Sequence, residues 1–238
     1  MAVQIIYETH AISTDNEAGV ATGWLPGTLS PRGRELARAL GKCHTEAIAA
    51  VFVSDLARAV QTAELAFGHR GIPIRLDARL RECDYGEGNG MPVVRLAAER
   101  PQHIDQPWPG RQSYRQVVAQ VSDFLQDLSA GWEGLTVVVI GHSATKWALD
   151  CLLDGATLEE LVDAPFGRQE GWCYQLPTDW RDQGHPLNHR GSWRLSTERW
   201  RLALRRRRCR GRPRQQGRPR DDRKPAVVGG GGSGILGP

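Results

Sequence analysis

Apolar positions fall into short runs that alternate with longer stretches of helical period. Residues 3–7 read as a buried strand, and the polar, glycine-bearing stretch 10–27 reads as the loop at its C-terminal end. Ser30-Pro31 begins a helix, with the hydroxyl as N-cap and proline in the first turn. Leu36, Ala37 and Leu40 supply its apolar stripe. A second strand over 49–53 runs through Ser54-Asp55 into a helix with Leu56, Val60, Ala63 and Phe67 on one side. Residues 72–76 form a weaker strand, and 79–91 an irregular region. Pro101, Pro107, Pro109 and Gly110 argue against a regular element across 101–113. A helix over 113–128, the clearest strand at 136–140, a helix over 144–153 and an edge strand at 171–176 complete the series. This alternation predicts a three-layer α/β/α sandwich with a mainly parallel sheet, whose ligands sit beyond the strand C-termini.

From Asp179 the periodicity dissolves into an arginine run, Gly/Arg/Pro repeats and a final glycine-rich stretch. The overall charge of +4 conceals this division. Residues 179–238 carry 16 Lys/Arg against 5 Asp/Glu, a net of +11, while the 178 residues before them carry 15 against 22, a net of −7. The expected organisation is therefore a folded domain over 1–177 and a basic, disordered tail over 178–238. Trp180, Trp193 and Trp200 leave room for a short helix around 194–204. The tail's charge suits nonspecific, salt-sensitive association with nucleic acid.

No basic leader precedes the first apolar run, and no run approaches the ~20 residues that span a bilayer. The five cysteines form no close pair, so neither a zinc ribbon nor a disulfide framework is indicated. A reduced cytoplasmic setting without membrane contact is the expectation. Nothing in the pattern sets the oligomeric state.

Two histidines occupy equivalent places: His10 follows the first strand and His142 the strand at 136–140. Arg58 opens the helix after the strand at 49–53, and Glu82 lies in the irregular region after the strand at 72–76. Together they supply two imidazoles, a permanent cation and a carboxylic acid, which are parts for moving a phosphoryl group through histidine. Position alone fits four unrelated polar loop residues equally well. His44, His69 and His103 read as exposed or internally satisfied histidines, and Trp147 and Leu149 as packing.

The neighbouring residues decide between these readings. His10 with Ser13 and Asn16, Thr22-Gly23-Trp24 with Leu29-Ser30 and Gly33, and Ser54-Asp55-Leu56-Ala57-Arg58-Ala59 with Thr62-Ala63 form three ordered motifs. Leu80-Arg81-Glu82 with Tyr85-Gly86 and Gly90, and Ile140-Gly141-His142, form two more. Over residues 3–176 the chain resembles the histidine phosphatase superfamily, in the branch containing the cofactor-dependent phosphoglycerate mutases. The resemblance implies a nucleophilic His10, a phosphate-gripping Arg58, a proton-donating Glu82, and a His142 that is protonated when phosphate is bound. It implies substrate or phosphate contacts from Ser13, Asn16, Thr22, Gly23 and Ser143, with no metal or other cofactor. The expected substrate is a small phosphorylated metabolite. The 60-residue interval between Glu82 and His142 is shorter than the lidded insertion of the mutases, which favours hydrolysis. The segment 103–113, with Trp108 and Arg111, is the expected partial lid.

One motif departs from the family: Arg-His-Gly is here Thr9-His10-Ala11. The pocket then either binds phosphate more weakly or recruits another cation, for which Lys146, Arg81 and Arg111 are the candidates by position. An impaired phosphate-binding protein of the same fold is accordingly the alternative to an enzyme. A lesser alternative is a serine esterase, because Gly141-His142-Ser143-Ala144-Thr145 nearly spells a nucleophile elbow with Ser143 as nucleophile.

Overall fold

A computed structural model describes residues 1–167 and 171–181. Its five-stranded sheet contains β1 (Val3–Thr9), β2 (Ala50–Val53), β3 (Ile74–Leu76), β4 (Thr136–Gly141) and β5 (Trp172–Leu176), in the order β3-β2-β4-β1-β5. The first four strands are parallel, and β5 runs antiparallel along β1 at the edge. β2 and β4 are buried along almost their whole length, which explains why they read as unbroken apolar runs.

Alternation within the strands sorts the core into two layers. Val3, Ile5 and Tyr7 face a cluster containing residues of α5 (Tyr114–Gly131) and α6 (Ser143–Leu149). Ile6, Val51, Val53, Val138 and Ile140 face Ala59, Ala63, Ala66 and Phe67 of α3 (Ala57–Phe67). α2 (Pro31–Cys43) packs on α3. The expected stripe on α2 holds for Ala37, which is buried, and for Leu40, which packs against the α3 layer, but Leu36 is exposed and the fully buried positions are Gly33, Ala37 and Gly41. Close backbone approach is the reason. A Cβ at Gly33 would lie 1.9 Å from the Ile12 carbonyl oxygen, and one at Gly41 would lie 2.0 Å from that of Ala66. Small residues four apart let the helix press directly on the chain beneath it.

The proline-bearing region is also more regular than its sequence suggested. A one-turn helix, α1 (Thr14–Glu17), follows the first site loop, and α4 (Val93–Glu99) leads into a 3₁₀ turn over Arg100–His103 that holds Pro101 in its first turn. Trp108 does not belong to a lid: it is 2% exposed, stacked on His103 at 3.7 Å and set edge-on to Tyr85. Beyond α6 the helix widens over Asp150–Asp154 and ends at Gly155, before α7 (Leu158–Val162). Trp180, placed in the tail by the charge division, packs against the main core. The expected tail helix and the basic run from Arg205 lie outside the described residues. No helix among the described residues is long and apolar enough to cross a membrane. Cys83, Cys151 and Cys173 are free thiols.

Parallel pairing of β1 with β4 puts Thr9 opposite Gly141, so His10 and His142 leave adjacent strands at the same level. β4 also pairs with β2, and the Ser54 amide continues that ladder by donating to the Ile140 carbonyl at 3.0 Å. Three loops thereby meet beyond one sheet edge.

His44 is the fold's one buried imidazole tied between carboxylates, with Nε2 2.9 Å from Glu8 and Nδ1 2.8 Å from Glu46 among the described residues. Burial alone would lower its pKa, but the hydrogen bonds it donates to Glu46 and Glu8, with their charges, outweigh that and raise the value to about 9. The folded-state value lies above the unfolded one of about 6.5, so the stabilisation is complete below that pH and is lost as the pH rises through about 9. Its size is about 3 kcal/mol on the linkage scale. Urea unfolding at pH 6, 7.5 and 9 is expected to show declining stability for the unaltered chain and a flatter profile for His44→Asn.

Candidate active site

His10 is the first residue past β1, and its amide donates to the Gly141 carbonyl at 3.0 Å, which fixes the ring's origin to the end of β4. The Nδ1 atom lies 2.7 Å from the Ala11 carbonyl oxygen. A carbonyl only accepts, so Nδ1 carries the ring proton and Nε2 keeps its lone pair. That lone pair faces Arg58, whose Nε–H donates to it at 3.3 Å. The atom available for attack on phosphorus is therefore Nε2.

Arg58 stands in the first turn of α3 and is 2% exposed. Nη2 donates to the Gly23 carbonyl at 2.8 Å and lies 3.3 Å from Nδ1 of His142. Nη1 is buried with no hydrogen-bond partner. Burial lowers the pKa of the guanidinium, and the negative charges of Glu82 and Asp15 work in the opposite direction. An arginine keeps its charge regardless. Nη1 is thus a buried charged donor with no acceptor in the chain.

His142 is engaged at both ring nitrogens. Its Nδ1 must accept from the permanent donor Arg58, so Nε2 carries the hydrogen and donates to Ser54 Oγ at 2.9 Å. Burial, then the charges of Arg58 and His10, push its pKa well below the ordinary histidine value. The imidazole is neutral here, not protonated. Its ring centroid is 5.0 Å from that of His10, and its carbonyl accepts from the Tyr7 hydroxyl at 2.6 Å.

Glu82 is held by three donors. Oε1 accepts from the Cys83 amide at 2.9 Å and the Ala144 amide at 3.2 Å, and Oε2 accepts from the Ser143 hydroxyl at 2.8 Å. Trp24 Nε1 donates to the Glu82 carbonyl at 2.6 Å. This arrangement disposes of the esterase geometry: Ser143 faces a carboxylate, and both ring nitrogens of His142 are engaged by Arg58 and Ser54. Ser143 serves to position the acid.

The other expected binding residues are used largely for scaffolding. Ser13 and Asn16 form a reciprocal cap on α1, with bonds of 3.1 Å each way. Thr22 donates its hydroxyl to Asp15 Oδ2 at 2.9 Å. Gly23 contributes the carbonyl that orients Arg58. It has φ of +53°, and a Cβ there would sit 1.7 Å from Asn89 Oδ1. All three candidate replacement cations are neutralised: Lys146 by Asp150 at 2.5 and 2.6 Å, Arg81 by Asp55 at 2.5 and 2.6 Å, and Arg111 by Asp84 at 3.5 Å. Lys146 also lies over the Trp172 ring, 5.1 Å from its centroid.

Sequence reasoning passed over three residues that join the loops. Ser54 fixes the His142 tautomer, and its place directly after β2 at the shared sheet edge is the signal that points to it. Asn89 accepts from the amides of Trp24 and Tyr85 and donates to Asp84, joining the 22–25 loop to the Glu82 segment. Asp15 faces the same loop through Thr22. No single-sequence signal marks the last two, because their roles come from contacts across distant loops.

Known proteins resemble this chain in sequence and in fold. The model of the histidine phosphatase superfamily (branch 1) matches residues 9–173. Phosphoserine phosphatase 1 of Hydrogenobacter thermophilus is 28% identical over 167 residues, covering 66% of this chain and 79% of the relative. A 2,3-bisphosphoglycerate-dependent phosphoglycerate mutase of Mesorhizobium japonicum is 29% identical over 195 residues, covering 75% and 95%. Among solved structures, Bacillus stearothermophilus YhfR superposes with a TM-score of 0.61 at 26% identity, covering 70% of this chain and 87% of that one. A mycobacterial glucosyl-3-phosphoglycerate phosphatase in complex with VO3 has the same fold, with a TM-score of 0.61 at 24% identity over 68% and 87% of the two chains.

The open Nη1 of Arg58 predicts how the site meets an anion. Replacing Arg58 with Met is expected to weaken orthophosphate binding by about tenfold to a hundredfold, as calorimetry would read it, because a charge-assisted donor pair is lost. Equal affinity in a folded Arg58→Met chain would show that the guanidinium does not hold the phosphoryl group.

Proposed function

The chain belongs to branch 1 of the histidine phosphatase superfamily, and from that premise we propose that it hydrolyses a small phosphomonoester through a phosphohistidine on His10. The observation that carries the proposal is the state of His10: Nδ1 is pinned to a carbonyl, and the Nε2 lone pair lies beside a buried guanidinium with a spare donor. The names of the relatives, phosphoserine phosphatase and phosphoglycerate mutase, support phosphoryl chemistry.

In the first step the Nε2 lone pair attacks phosphorus and the ester P–O bond breaks, its electron pair leaving with the alcohol oxygen. Glu82 takes up a proton from the entering phosphate monoanion and passes it to that oxygen as the P–O bond breaks. The contact from Nδ1–H to the Ala11 carbonyl stabilises the positive charge that develops on the ring. Arg58 transfers its donors from the His10 lone pair to the phosphoryl oxygens. His142 begins neutral and can donate to the phosphoryl group only after taking a proton at Nδ1, which the arriving negative charge favours. In the second step Glu82, now a carboxylate, removes a proton from water as its oxygen attacks phosphorus. The P–N bond breaks and its electron pair returns to Nε2. None of these steps calls on a metal ion.

Hydrolysis is preferred to mutase action on the short interval between Glu82 and His142. One observation favours a second reading, a protein that holds phosphate without turning it over: Thr9 replaces a cation, and Lys146, Arg81 and Arg111 are each paired with a carboxylate. Turnover separates the two.

An aryl phosphate is expected to be hydrolysed in the presence of chelator and not by His10→Ala. Activity in His10→Ala equal to that of the unaltered chain would overturn the mechanism. Glu82→Gln is expected to slow alkyl phosphates by about a hundredfold or more, and an activated aryl phosphate far less, since the latter leaves without a proton. Equal losses on both esters would remove Glu82 from the role of general acid.

A further inference from the structure

The electrostatics of the site are unusual for a pocket that receives a phosphoryl group of about two negative charges. Arg58 offers an open donor, but Arg81, Arg111 and Lys146 are matched to carboxylates of the chain itself. Position 9 contributes a threonine hydroxyl and no charge. Against this background Asp15 stands out. It is half-buried, it accepts the Thr22 hydroxyl at 2.9 Å, and it forms no ion pair among the described residues.

Its location follows from the chain of contacts. Thr22 precedes Gly23, whose carbonyl receives Arg58 Nη2 at 2.8 Å, and Asp15 is close enough for its charge to act on the Arg58 guanidinium. Trp24, the next residue, reaches the carbonyl of Glu82 at 2.6 Å. The 22–24 loop, with Asp15 behind Thr22, is thereby tied to the segment that carries Glu82, the group proposed to protonate the departing alcohol. A lone carboxylate there opposes the approach of a phosphate dianion. It becomes favourable when the alcohol carries a positive charge of its own.

We infer that Asp15 selects phosphomonoesters whose alcohol bears an ammonium group, the carboxylate receiving the ammonium while Arg58 receives the phosphoryl oxygens. The inference rests on the phosphatase reading for its substrate class. The ammonium also restores the charge balance at a site that has Thr9 in place of arginine. Asp15 is thus a specificity-determining residue, and the Thr22 hydroxyl holds its carboxylate in place.

The test uses a matched pair, O-phosphoethanolamine and ethyl phosphate, which share the ethyl phosphate unit and differ by the ammonium. The unaltered full-length chain is expected to favour phosphoethanolamine by about tenfold in kcat/KM, the scale of one charge-assisted contact. Asp15→Asn keeps an acceptor for Thr22 and removes the charge. It is expected to lower kcat/KM for phosphoethanolamine and to raise it for ethyl phosphate, bringing the two within about twofold. A residue that only supports its loop would shift both substrates in the same direction, and that outcome overturns the inference, as does an unaltered chain with no preference. The same pair is also compared by calorimetric binding to His10→Ala, with and without Asp15→Asn, where no turnover is needed. Selective binding without hydrolysis would refute the phosphatase reading and uphold Asp15. Hydrolysis of an aryl phosphate without selectivity would do the reverse.

Discussion

A guanidinium cannot shed its charge at any pH the protein meets, so an arginine left 2% exposed obliges its surroundings to answer it. Around Arg58 the answer is unusual, because two of the groups are imidazoles that supply lone pairs and no negative charge. The donors of Arg58 set the lone pairs on Nε2 of His10 and Nδ1 of His142, and a carbonyl and a serine hydroxyl take up the opposite ring positions. One buried cation thereby fixes two tautomers. Burial together with this charge lowers the pKa of His142, and one donor of the guanidinium has no acceptor in the chain.

The sheet makes this convergence inexpensive in conformational terms. β1, β2 and β4 end side by side, and residues immediately beyond them need only short loops to meet. α3 starts at the same edge and delivers Arg58 in its first turn. Backbone bonds from His10 and Ser54 to neighbouring strands continue the ladder into the site, so two of its walls share the rigidity of the sheet. The Glu82 wall is assembled differently. Its placement depends on cross-loop bonds from Ser143, Trp24 and Asn89, which tie the Glu82 segment to the 22–25 loop and to the start of α6.

The sequence revealed His10, Arg58, Glu82 and His142 because each stands at a fixed offset from a strand or within a compact local motif. It revealed the sheet because β2 and β4 are buried on both faces and read as apolar runs. Other features were hidden by geometry. The packing face of α2 is made of Gly33, Ala37 and Gly41, and small residues leave no hydrophobic period to detect. The pairing of Arg81 with Asp55 and of Arg111 with Asp84 spans loops distant in sequence, so spare cations could not be distinguished from committed ones. Trp108 stands among prolines in a segment that looks like a surface lid, yet its indole fills the core beside Tyr85. Asp15 and Asn89 acquire their roles only when the loops have met.

The account depends on covalent participation of one nitrogen. The most direct measurement is rapid quenching of the full-length chain during turnover of an aryl phosphate, followed by mass spectrometry under alkaline conditions that preserve phosphohistidine. The expected result is a phosphoryl group on the peptide containing His10, increased in Glu82→Gln with an activated ester and absent in His10→Ala. Sustained turnover with no phosphoryl group on that peptide would contradict the account.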